Sequence, residues 1–154
     1  QLVRRYKLCE HNLLWGEIVG SDTEGNLRVA AEILPGEPVL ALCPLNRIGV
    51  HERSTSGFQV GQRRAFHLRR VEGVERNGIA RVQVVLDRVA KTLVETLLRE
   101  QLGVQAERIR FYCLKRYVGH RSLVVTNQRL PKAAILSVDR ELRERVEVRI
   151  VRKP

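Results

Sequence analysis

Six cations fall within residues 108–129: Arg108, Arg110, Lys115, Arg116, Arg121 and Arg129. They surround two short alternating runs joined at Tyr117-Val118-Gly119-His120, where His120 stands beside Arg121 and Ser122. Such a set suits phosphate. An Arg fork gives two parallel hydrogen bonds to an anionic oxygen pair, and imidazole, hydroxyl and backbone donors at a turn add to them. Lys115, Arg116, His120, Arg121 and Arg129 are the leading candidates for phosphate contact. Arg108 and Arg110 alternate with Ile109 and Phe111, which predicts that they face away from the core and extend the patch. In the first half, Arg63, Arg64, Arg69 and Arg70 could line a groove, with Trp15, Phe58 and Phe66 either stacking bases or filling the core. The competing reading of every one of these charges is a solvated, Arg-rich surface.

Catalytic chemistry finds little support. His11, His51, His67 and His120 are scattered, and His51-Glu52 lies in a polar loop, where it could be part of a site but reads as a solvated pair. The glycines form no phosphate loop. Cys9, Cys43 and Cys113 are odd in number and far apart, without zinc spacing or a disulfide framework. A non-enzymatic protein with free thiols, no metal and no cofactor is expected, in a reducing cytoplasm.

The charge balance points to the partner. Lys plus Arg is 28 against 17 Asp plus Glu, a net of +11, and the isoelectric point is about 10.6. Such an excess attracts polyanions by counterion release, without reading sequence. It is uneven: residues 1–88 hold 13 cations and 10 acids, residues 89–154 hold 15 and 7. The second part therefore provides most of the long-range attraction. Apolar residues make up 44%, enough for a packed core. No segment approaches the roughly 18 uninterrupted apolar residues of a membrane helix.

The elements that must position these residues follow from periodicity. Residues 1–11 form a basic lead-in with a short strand. Alternation predicts strands at 13–21, 27–33, 39–45, 63–72 and 79–86, with turns at 21–26 and 73–78 and a long polar loop, HERSTSG at its centre, over 46–60. Five short strands of this kind fit a small closed barrel of the OB type, with an SH3-like barrel as the alternative. From Val89 the period changes to about 3.6, with Val89, Leu93, Val94, Leu97, Leu98 and Leu102 on one helix face and Gly103 as its stop. Two strands follow, with Cys113 buried in the first. Pro131 opens a second helix carrying Ala134, Ile135, Val138 and Leu142. Val146, Val148 and Ile150 alternate in a last strand. The fold class is mixed β and α+β: a barrel over 1–88, then a two-layer αββαβ unit over 89–154, with a tight Asp87-Arg88 junction that predicts rigidly related halves.

Several segments carry a resemblance in their order and spacing. They are Trp15-Gly16-Glu17-Ile18-Val19, the hairpin at 22–26, Leu42-Cys43-Pro44-Leu45, Val60-Gly61-Gln62-Arg63, the strand at 82–88, KTLVETLLREQLG, LKRYVGHRSLVVT and AILSVDRELRERVEVRIV. Together they are similar to the central part of the transcription elongation and antitermination factor NusA. There an OB barrel of the ribosomal-protein S-one type runs straight into KH domains. The resemblance implies single-stranded RNA as partner, beside RNA polymerase or a ribosome, with neither a small-molecule substrate nor a membrane. A KH domain grips the backbone with a Gly-x-x-Gly loop between two helices. Here Thr126 leads through NQRLP into one helix, so that loop is lacking and binding rests on phosphate contacts. The alternative is a protein-interaction module of a transcription or ribosome assembly with a degenerate KH domain.

Overall fold

A computed structural model describes residues 2–53 and 57–152. The chain divides into two units, Gln1–Arg88 and Val89–Pro154. The first begins with a helix, α1 (Leu2–Lys7), where a strand is expected. The reason is spacing: Val3 and Tyr6, three residues apart, lie on one helical face and pack on the barrel core, while Leu8 is left exposed.

Five strands follow: β1 (Leu13–Ser21), β2 (Leu27–Leu34), β3 (Glu37–Cys43), β4 (Arg63–Arg76) and β5 (Ile79–Asp87). They pair in the order β1-β2-β3-β5-β4 and close from β4 back to β1 as a barrel. The closure between β3 and β5 is parallel, at Leu42 and Val85; the other pairings are antiparallel. Alternation sends Leu14, Ile18, Val29, Phe66, Leu68, Val71, Val84 and Leu86 inward. Gly16 is required between them, since a Cβ there would stand 2.4 Å from Val29 Cγ1. The β4–β5 turn is shorter than the run 73–78 suggests. Arg76 pairs with Ile79, and Asn77 and Gly78 both take positive φ, as a two-residue hairpin turn demands. The loop over 46–60 carries two single-turn 3-10 segments, Leu45–Arg47 and Val50–Glu52. Its HERSTSG centre lies in part, at 54–56, outside the described residues.

The second unit is α2 (Lys91–Leu102), β6 (Phe111–Tyr117), β7 (Arg121–Thr126), α3 (Lys132–Leu142) and β8 (Arg145–Ile150). Its sheet runs β6-β7-β8, antiparallel then parallel. Leu93, Val94, Leu97, Leu98 and Leu102 of α2, with Ala134, Val138 and Leu142 of α3, are buried. They cover the sheet face that carries Cys113, Val124 and Val146. Each of these Leu and Val side chains contributes about 1.5–3 kcal/mol by leaving water. Past the helix stop at Gly103, residues 103–108 are a 3-10 segment, and β6, whose alternation was read from Ile109, begins only at Phe111. Arg108 and Arg110 are therefore not held by strand alternation, although both are exposed. Among the described residues no helix is long and apolar enough to cross a membrane.

The thiols are placed unequally. Burial pushes the Cys43 thiol far above its ordinary range, with the charge of Asp87 adding to it. Burial, then the charge of Glu95, pushes Cys113 up to about 11. Cys9 is half-buried. Alkylation with iodoacetamide at neutral pH should label Cys9 first, and Cys43 and Cys113 only on unfolding. Peptide mapping that finds all three labelled at one rate in the folded protein contradicts this placement.

Candidate nucleic-acid interface

One position of β6 decides which side chains face solvent. Cys113 pairs with Val124 and Lys115 with Leu123, so Leu114 is an extra residue, a β-bulge. The bulge reverses the alternation after it. Tyr112 lies on the face away from the helices before it, and Lys115 and Tyr117 lie on that face after it. Arg116 is turned toward the helices.

Three rows then cross the open face: Tyr112–Val125–Arg149, Lys115–Leu123–Glu147 and Tyr117–Arg121–Arg145. Lys115, Arg121, Arg145 and Arg149 are exposed there, against one acid, Glu147. The Arg121 guanidinium lies 5.5 Å from the Tyr117 ring centroid, and its Nη1 is 3.4 Å from Glu147 Oε2. His120 is exposed at the hairpin tip, its N–H bonded to Tyr117 O at 2.9 Å. At the other end of the sheet, Asn127 N–H donates to Arg110 O and Gln128 Nε2 to Arg108 O. This brings the backbone of Arg108 and Arg110 to the loop that carries Arg129, and all three residues are exposed. The cations are thus spread along the sheet, at both ends and across the open face.

Arg116 leaves the set of phosphate contacts. Its side chain is 1% exposed. Nε lies 3.1 Å from both oxygens of Glu144, Nη2 lies 2.7 Å from Oε1, and Nη1 donates to Ala90 O at 2.8 Å. Glu144 also accepts from Gly119 N–H at 3.0 Å and from the Ser122 hydroxyl at 2.9 Å. Ser122 is therefore no phosphate donor either. Burial alone would raise the Glu144 carboxyl. The hydrogen bonds and charge of Arg116, with those of Gly119 and Ser122, outweigh it and hold this carboxyl below its ordinary value. The cluster ties the β6–β7 hairpin to the α3–β8 junction and to the start of α2.

In the barrel, Arg63 is exposed. Arg64 is mostly covered: Nη1 donates to Gly57 O at 3.1 Å, Nη2 is 3.8 Å from Glu52, and its guanidinium lies 4.8 Å from the Phe58 centroid. Trp15, paired with Ala65, is half-buried on the outer side of β1. Phe66 is core, and Phe58 is packed against it with the Arg64 and Arg88 guanidiniums beside its ring. Arg70 pairs with Glu72. Glu52, read as a solvated loop residue, is 2% exposed and paired with fully buried Arg88. Arg88 also donates to Ala65 O at 2.8 Å. His11 Nδ1 and His67 Nε2 approach to 3.2 Å, and His67 Nδ1 is 3.7 Å from Asp87. Among the described residues no three His, Cys, Asp or Glu side chains converge as metal ligands.

Sequence reasoning missed Tyr112, Tyr117, Arg145 and Arg149 as members of the open face. The alternation of Val146, Val148 and Ile150 already implied that Arg145, Glu147 and Arg149 share the opposite side.

No protein-family model matches the chain, and no curated protein does. Among solved structures, it is similar to a chain in the crystal structure of the a/eIF2alpha-aDim2p-rRNA complex from Pyrococcus horikoshii OT3. The identity is 16% and the TM-score 0.38, over 60% of this chain and 60% of that chain.

Proposed function

We propose that the chain is a non-enzymatic RNA-binding protein. In this reading the barrel is OB-like and the αββαβ unit KH-like, as in the corresponding part of NusA. It holds single-stranded RNA largely through phosphate contacts, in the cytoplasm, beside RNA polymerase or a ribosome. The observation that carries the reading is the open sheet face, where Lys115, Arg121, Arg145 and Arg149 stand against Glu147. Arg108, Arg110, His120 and Arg129 extend it at its two ends, and Arg63 adds charge on the barrel. Arg64 is mostly covered and Trp15 half-buried, and both take a smaller part.

Four phosphate contacts to a single strand predict a salt slope of about −3, so affinity should fall roughly fiftyfold between 50 and 200 mM salt. Replacing Lys115, Arg145 and Arg149 together by Ala should weaken binding to unrelated sequences about equally and make the slope shallower by about 2. Fluorescence anisotropy on labelled RNA measures both. Absence of binding at low salt, or a triple variant that binds like the parent, rejects the proposal.

A protein-interaction module is the second reading. The observation that favours it is the single helix between β7 and β8, which leaves no two-helix grip. A stoichiometric protein partner that survives nuclease treatment, in a chain that refuses RNA, selects it.

A further inference from the structure

The open face carries more than charge. Tyr112 and Tyr117 are 51% and 48% exposed. They sit on one strand and one face, five positions apart, on the order of 15 Å. Each borders its own open depression. One, of about 600 Å³, is lined by Arg110, Tyr112, Val125 and Val151. The other, of about 630 Å³, is lined by Tyr117, His120, Arg121 and Arg145. Half-buried Leu123 and Val125 form an apolar floor between the rings.

An aromatic ring beside guanidiniums on a solvated sheet matches one chemistry well: an unpaired base on the ring and its phosphate on the cation. The excess of positive charge on the face decides against a neutral apolar occupant. We infer that this face is a stacking platform on which Tyr112 and Tyr117 each take one base of single-stranded RNA, with Lys115, Arg145 and Arg149 on the intervening phosphates. The inference rests on the RNA-binding reading above and adds a preference for unpaired over paired RNA. A duplex keeps its bases inside and presents only phosphate and sugar. Arg121, whose guanidinium lies 5.5 Å from the Tyr117 ring centroid, adds its charge beside that ring.

The test uses the full chain, a single-stranded RNA 12-mer, the same RNA in a duplex, and poly-glutamate as an acidic peptide, all at one low salt concentration. The variants are Tyr112→Ala/Tyr117→Ala and Tyr112→Phe/Tyr117→Phe, with thermal melts to show that both fold. The Ala pair should lose about tenfold per ring on the single strand, on the order of a hundredfold together. It should bind duplex nearly as the parent does and keep the parent's salt slope. The Phe pair should bind like the parent, because the ring and not the hydroxyl does the stacking. An Ala pair that binds the single strand normally, or loses equally on duplex, overturns the inference while leaving phosphate binding intact. Poly-glutamate held by a parent that refuses RNA overturns both.

Discussion

Replacing Arg116 by Met destabilises the second unit by about 3–5 kcal/mol, because it leaves the Glu144 carboxylate buried with its counter-charge removed. Glu144 is inaccessible and keeps, among the described residues, the Gly119 N–H and the Ser122 hydroxyl as partners. Arg116→Met/Glu144→Leu recovers most of that loss, since removing both charges also removes their desolvation. Recovery is incomplete, as the Gly119 and Ser122 donors then lack an acceptor. Urea unfolding followed by circular dichroism measures the cycle. A single variant within about 1 kcal/mol of the parent, or a double variant no better than the single, contradicts it. The sign with pH follows from the depressed carboxyl. This stabilisation is fully present above its ordinary value of 4.5 and is lost as pH falls through the lower folded value. The acid limb should therefore be shallower once Arg116 is gone. RNA affinity lost in an Arg116 variant then reports folding, not a missing phosphate contact.

The barrel has a comparable dependence on Arg88. Arg88→Met leaves Glu52 with Arg64 at 3.8 Å and removes the hydrogen bond that Arg88 gives to Ala65 O. A cost of about 3–5 kcal/mol is expected. Arg88→Lys keeps the charge but not the fork and should fall between parent and Met variant. The readout is direct, because the single tryptophan, Trp15, lies on β1. Its fluorescence follows the first unit. An unchanged denaturation midpoint for Arg88→Met would falsify a stabilising role for this buried pair.

The position of most strands and both long helices was legible because they follow, over most of their length, a period of 2 or 3.6. Leu93, Val94, Leu97, Leu98 and Leu102 face inward as their spacing demands. Three features were not legible, each for a physical reason. The lead-in helix is short, and only contact with the barrel shows that Val3 and Tyr6 form its working face. Glu52 and Arg88 are 36 positions apart, and nothing local marks either as half of a buried pair. Arg116 was misread because strict alternation from Cys113 places it outward together with Leu114, and Lys115 inward. The bulge breaks that alternation, and a bulge leaves no compositional mark here. On β8, alternation alone was sufficient to place Arg145 and Arg149, and only the open sheet face made them candidates.

The extra residue at Leu114 makes the outward chemistry of this domain a matter of counting. A chain shortened by one there would have nearly the same composition, yet it would show the solvent Arg116 and turn Lys115 and Tyr117 inward. When sequences of this kind are aligned, a gap at this one column exchanges which side chains a visitor meets. Two chains nearly identical letter by letter would then present different surfaces, and identity scores would not register the difference.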